Sequence, residues 1–235
     1  PKAPVIAQPY PAFMGQRAAS YNPPAPDGSR PGTFQYTASG TGPKSRRSTI
    51  YHESVPGHHF QLALQMEDPN LPRFRKDLIF GFNSAYAEGW GLYAEHLVRE
   101  EGWYTGDIAG ELDALEQEIF RARRLVVDTG IHAKGWTREQ AQTFLLANTA
   151  LSTHEVTTEV DRYIAWPGQA LSYYLGEMAI WKARHKAESA LGEKFDIRQF
   201  HDTVLQLGSV PLPVLEARID RFIAEGGKGP YADEK

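Results

Sequence analysis

The chain has 235 residues and 41% hydrophobic content, enough to bury a sizeable core of ordinary globular kind. Its net charge of −4, without a basic run, argues against nucleic acid as a partner, and no stretch approaches the apolar length of a membrane span. There is no cysteine, so disulfides and thiolate ligands are excluded, and any metal must be held by His and carboxylate side chains.

The first residue is Pro1 and no targeting segment is recognised, which leaves the compartment open. Residues 1–46 read as an irregular Pro/Gly-rich arm: nine of the sixteen prolines fall before position 48. Within it, Gly32-Thr33-Phe34-Gln35-Tyr36-Thr37 has the composition of a short strand, either part of a meandering arm or an edge strand lining a cleft. Residues 47–226 read as one helical domain, followed by a tail over 227–235. The 3.6-residue period places helices at 47–66, 80–101, 107–133, 137–149, 152–164, 168–191, 196–207 and 212–225. Asp107 can cap the third, and Thr137 with Gln140, and Ser152 with Glu155, have capping-box spacing. Along 107–133, Leu112, Leu115, Ile119, Ala122, Leu125 and Val126 form an amphipathic stripe. The fold class is all-α, a multi-helix bundle with an irregular N-terminal arm.

Chemistry concentrates in Tyr51-His52-Glu53-Ser54-Val55-Pro56-Gly57-His58-His59 and in Glu88 and Glu95 downstream. Two imidazoles and a carboxylate can hold a hydrolytic zinc ion, and a further carboxylate can take a proton from water. The usual spacing puts the second histidine at i+4, one helix face away. Here that position is Pro56. A regular helix turns His58 about 120° from His52, and leaves His59 about 20° away but roughly 10 Å along the axis. A bulge near Pro56-Gly57 is therefore required if His58 is the second ligand; His59 is the alternative. Glu88 and Glu95, seven apart, share a helix face: Glu88 fits a third ligand, and Glu95 a partner that orients a ligating histidine. Gly89 and Gly91, poor helix formers, point to a close approach on this face.

Five blocks carry a family resemblance: His-Glu-x-x-Pro-Gly-His-His, Glu-Gly-Trp-x-Leu-Tyr-Ala-Glu, Arg-x-x-Arg-Leu-Val-Val-Asp-Thr-Gly-Ile-His, Pro-Gly-Gln-Ala-Leu-x-Tyr and Phe-His-Asp-x-Val-Leu-x-x-Gly. In this order, from about Tyr21 to Ile223, they resemble the DUF885 family of bacterial proteins. Its members are far longer, so the chain resembles their C-terminal half. That family in turn resembles the helical zinc peptidases of gluzincin type. The resemblance implies zinc, or another divalent metal, on His52, His58 and Glu88, with Glu53 as general base. It also implies Tyr173 as the phenol that stabilises an oxyanion, with Tyr174 in reserve.

His132 is a further candidate: it either donates to a substrate carbonyl or caps its helix. Arg123, Arg124 and Arg162 sit on apolar helices and need carboxylate partners, unless one binds a substrate carboxylate. His201 reads as an interhelix hydrogen bond, His96, His154 and His185 as surface histidines, and Trp90, Trp103, Trp136, Trp166 and Trp181 as packing. The function expected is a zinc-dependent hydrolase, a metallopeptidase or amidohydrolase acting on short peptides or small amides. The alternative is a metal-binding scaffold, or a half-enzyme that turns over only with a missing N-terminal half or second chain.

Overall fold

The computed structural model describes residues 1–15, 18–38, 47–77 and 82–231. Three strands, β1 (Val5–Pro9), β2 (Ser20–Asn22) and β3 (Gly32–Tyr36), precede ten helices among the described residues. These are α1 (Arg47–Glu53), α2 (His58–Glu67), α3 (Arg73–Lys76), α4 (Ser84–Glu100), α5 (Ile108–Lys134), α6 (Arg138–Asn148), α7 (Thr153–Ala165), α8 (Gln169–Leu191), α9 (Ile197–Leu205) and α10 (Leu212–Ala224). The all-helical expectation holds, with a small sheet added. The expected boundary at 46/47 and the expected start of a helix at 80 fall outside the described residues.

The arm is more ordered than its composition suggests. β3 is the central strand, parallel to β1 and antiparallel to β2. Both of its backbone edges are thereby consumed, so it is not the edge strand that the sequence offered as one reading. The sheet is tied to α2: Tyr21 Oη lies 2.8 Å from His59 Nδ1, and the Glu67 carboxylate accepts from the backbone N–H groups of Lys2 and Ala3.

Helix α4 is the axis of the bundle, lying along α8 for much of its length. Two glycines set that distance. A Cβ on Gly89 would stand 2.4 Å from the Gly176 backbone, and one on Gly176 would stand 1.8 Å from the Ala85 carbonyl oxygen. On one flank Trp90, Tyr93, Ile180, Phe200, Leu215 and Phe222 form the main core. A second core joins α5, α6, α7 and the start of α8 through Val127, Leu145, Val156, Val160 and Tyr163. Burying aliphatic and aromatic side chains of this size stabilises by about 1.5–3 kcal/mol each. Both expected capping boxes form, at Thr137–Gln140 and Ser152–Glu155, and Asp107 caps α5 by accepting from Gly110 N.

One expectation is corrected and another refined. The stripe on α5 forms and faces outward: Leu112, Leu115, Ile119 and Val126 are exposed, as is Ile108 at 83%. The buried face instead carries Ala114, Phe120, Arg121, Arg124, Val127 and Asp128. Among the tryptophans, Trp90 is buried in the main core, whereas Trp103 and Trp166 are largely exposed. Each of those two sits at the end of a helix, where the chain turns to the surface.

Candidate metal centre

The single helix expected over 47–66 is two. α1 stops at Glu53 and α2 begins at His58. Pro56 has no N–H to continue the ladder. Gly57 N reaches back to Tyr51 O at 3.0 Å and His59 N to Ser54 O at 3.1 Å, both wider than the helical step of four residues. This wide turn carries His58 round to the side of His52, and the two rings meet edge-on with centroids 4.6 Å apart. Only glycine fits at position 57, because a Cβ there would lie 1.9 Å from His52 O. The bulge required by the sequence is thus a full break.

His52 Nε2 and His58 Nε2 lie 3.3 and 3.4 Å from the same Glu88 oxygen, Oε2. One ligand atom from each of these residues can be chosen so that all three lie within 4.8 Å of one another. Ligands about 2.0–2.1 Å from a tetrahedral zinc stand roughly 3.3–3.4 Å from each other. The two observed separations match the edges of such a tetrahedron, and the donor set of two imidazoles and one carboxylate suits zinc. The other ring nitrogens are engaged. His52 Nδ1 is 2.7 Å from Glu95 Oε1, and His58 Nδ1 is 3.4 Å from Gln61 Oε1. Each contact leaves Nε2 free to point inward. Glu95 is itself held by the Ser48 hydroxyl. Gly91 lets α4 approach, since a Cβ there would stand 2.5 Å from His52 Cε1.

The electrostatics follow from burial among opposite charges. Burial disfavours a protonated His52, yet the Glu88 and Glu95 carboxylates outweigh it and push its pKa up to about 10. Burial would raise the Glu88 carboxyl, but the two imidazoles hold it well below the ordinary range. Glu53 goes the other way: burial raises it, and His58 and His52 oppose that only in part. A carboxyl raised in this way is a better proton acceptor for water than an ordinary one.

Tyr173 stacks on His52, ring centroids 6.0 Å apart. Burial and the Glu88 charge raise its phenol, so it stays a protonated donor at neutral pH. Tyr174 lies on α8 beside His96, Glu177 and Trp181, lining a different cavity.

The remaining candidates lie elsewhere. His59 bonds to Tyr21 on the sheet, so it is His58 that joins His52 and Glu88. His132 lies 3.0 Å from the Tyr163 carbonyl oxygen through Nε2, an α5-to-α7 tie outside the three-residue cluster. Arg124 and Arg162 share the Glu159 carboxylate, and Arg123 is exposed. His201 makes the expected interhelix bond, to Tyr93. His154 and His185 are exposed, but His96 is not a surface histidine: it is wedged between Glu177 and Glu118. Arg121 was missed by the sequence reading. Its signal was available, since Arg121, Arg124 and Asp128 recur at three and seven residues on one face of α5.

A model of the family described as "Bacterial protein of unknown function (DUF885)" matches residues 1–219. No protein of curated function matches the chain. Among solved structures, a putative lipoprotein from Colwellia psychrerythraea is similar over 96% of this chain, with 40% identity and a TM-score of 0.91. A putative lipoprotein of unknown function from Shewanella oneidensis is similar over 92%, with 26% identity and a TM-score of 0.75. The chain spans only 39% and 40% of their respective lengths.

Proposed function

The chain belongs to the DUF885 family of bacterial proteins, and on that footing we propose that it is the metal-holding part of a zinc-dependent hydrolase acting on peptide or small amide bonds. The observation that carries this reading is the convergence of His52 Nε2 and His58 Nε2 on one Glu88 oxygen, at 3.3 and 3.4 Å. A zinc ion held by these three residues would supply Lewis acidity to water and to the substrate carbonyl. Glu53 accepts the proton of the attacking water and hands it to the departing amine. Tyr173 donates its phenol proton as a hydrogen bond toward the carbonyl oxygen as negative charge grows there. Glu95 holds His52 in the tautomer that presents Nε2.

The test combines metal analysis with hydrolysis of a short-peptide mixture, with and without chelator. The reading expects one zinc per chain and chelator-sensitive hydrolysis. In Glu53→Gln, zinc is retained while the rate falls by about 10²–10⁴-fold. Hydrolysis unchanged in Glu53→Gln would overturn the assigned base.

A second reading is that the chain binds metal but turns over only together with further protein. It is favoured by the outward apolar stripe Ile108, Leu112, Leu115, Ile119 and Val126 along one face of α5. Such a face is larger than scattered surface hydrophobes and marks an interface. The structural relatives are far longer than this chain, and their remaining length would supply the cover. Stoichiometric zinc without hydrolysis by the wild-type chain would favour this second reading.

A further inference from the structure

The buried face of α5 carries two arginines, Arg121 and Arg124, beside Asp128. Arg124 and Arg162 both pair with Glu159, and no second carboxylate pairs with either of them among the described residues. Arg121, 9% exposed, has no ion pair there at all. Its Nη1 donates to Gln117, whereas its Nε has no acceptor and no hydrogen bond from Nη2 is seen among the described residues. Among the described residues, the one buried N–H of Arg121 left without an acceptor is Nε, which together with Nη2 makes the edge that takes a carboxylate side-on through two parallel N–H···O bonds. A buried N–H without an acceptor is costly, even where nearby carboxylates such as Glu95 and Glu53 balance the charge of the cation that bears it.

Position gives this edge a meaning. The Arg121 guanidinium carbon is 5.7 Å from the Tyr173 ring centroid, and Arg124 covers the same ring at 4.6 Å. The other neighbour of that ring is His52. Arg121 is thus one aromatic ring away from the metal cluster, and it lies within electrostatic range of Glu53 and Glu95. We propose that Arg121, supported by the Arg124 charge, is the subsite that binds a carboxylate of the substrate and fixes it relative to the scissile bond. The substrate class is then a short peptide or amide carrying a free carboxylate close to the bond that is cut. For where that bond lies, this inference rests on the hydrolase reading above.

Binding, not turnover, tests it. N-acetyl-alanyl-alanine and its C-terminal amide are titrated calorimetrically into the chain, both zinc-loaded and after chelation. The proposal expects the acid to bind at least tenfold more tightly than the amide in either state, and the difference to vanish in Arg121→Gln. In Arg121→Lys, which keeps the charge but loses the planar edge, a partial preference remains. Equal affinities of acid and amide for the wild type overturn the proposal, as does a preference that survives intact in Arg121→Gln. Should Arg121→Gln not fold, the acid-to-amide comparison on the wild type still decides. A third probe, an N-acetyl-alanyl-aspartyl amide, separates the two sources of carboxylate: binding as tight as that of the acid assigns a side-chain carboxylate, and weaker binding assigns the chain terminus. Absence of zinc from the purified chain would count against the metal reading alone, because the chelated arm reads Arg121 independently.

Discussion

On one side of α4, Glu88 and Glu95 meet His52 and His58; on the other, Tyr93, His96 and Glu100 meet α5, α8 and α9. Both groups are rich in imidazole and carboxylate and lie on the same helix, the first buried or nearly so and the second running from buried Tyr93 out to exposed Glu100. In the second group donors and acceptors run from one partner to the next. Arg184 donates to Tyr93 Oη at 3.2 Å and to both Glu100 oxygens at 2.7 Å, and the Tyr93 hydroxyl lies 2.8 Å from His201 Nε2. His96 is enclosed by Glu177 and Glu118. In the first group the outer nitrogens are satisfied, while the inner ones crowd a single carboxylate oxygen. A closed network of matched partners holds helices together; two imidazole nitrogens converging on one carboxylate oxygen make a point where a metal ion can take the place of the His52 proton. Composition alone does not tell these apart, and geometry does.

The contrast breaks most strongly at Glu88. Glu88→Gln removes the point of convergence and is expected to lower zinc affinity by more than the ~10–100-fold typical of outer partners, as read by competition with a chromogenic chelator. Glu95→Gln, which only loosens the His52 ring, is expected to cost about 10–100-fold in the same assay. If Glu95→Gln cost as much as Glu88→Gln, the division of roles along α4 would be wrong.

Two neighbouring glycines sharpen the comparison further. Gly91→Ala drives a methyl group into His52, and Gly89→Ala drives one into the α8 backbone. Each is expected to cost about 1–3 kcal/mol of stability by overpacking, measured by urea denaturation. Only Gly91→Ala is expected to weaken zinc binding in the chain that remains folded.

The smallest effect belongs to the closed network. Burial first, and the Arg184 charge second, push His201 down to about 4 in the folded chain, against an ordinary value near 6.5. The unfolded chain therefore takes up this proton more readily. The stability that neutral His201 allows is present above about pH 6.5 and is lost as the pH falls toward 4. Because His201 is only partly buried, the loss is on the order of 1–2 kcal/mol. It is read as the difference between wild type and His201→Gln in denaturation midpoints across that window. Zinc affinity in His201→Gln at neutral pH is expected to match wild type.

Much of this was legible in the sequence. The period of 3.6 and the cap residues located most helices, because those signals are local and tertiary packing does not override them. The grouping of His52 and Glu88 with a second histidine was legible from residue types, although whether His58 or His59 joins them depended on how the backbone crosses Pro56-Gly57, which no helical wheel describes. The strand offered at Gly32–Thr37 forms as β3, but its sheet was missed because β1 and β2 are short and β1 pairs with a strand more than twenty residues away. The stripe on α5 was seen, but not which way it faces. Periodicity shows that a helix has an apolar face, not what covers it, and here the buried face is the one bearing Arg121, Arg124 and Asp128. His96 was underrated because its partners come from α5 and α8, far off in sequence.

The central claim is that two imidazoles and one carboxylate from three helices share one cation. X-ray absorption at the zinc edge, on the purified and zinc-reconstituted chain, tests it directly. The account predicts one zinc with two imidazole nitrogens and carboxylate oxygen at about 2.0–2.1 Å, and loss of imidazole scattering from the signal in His52→Ala. A zinc environment unchanged in both His52→Ala and Glu88→Gln, or a chain that binds no zinc at all, would contradict it.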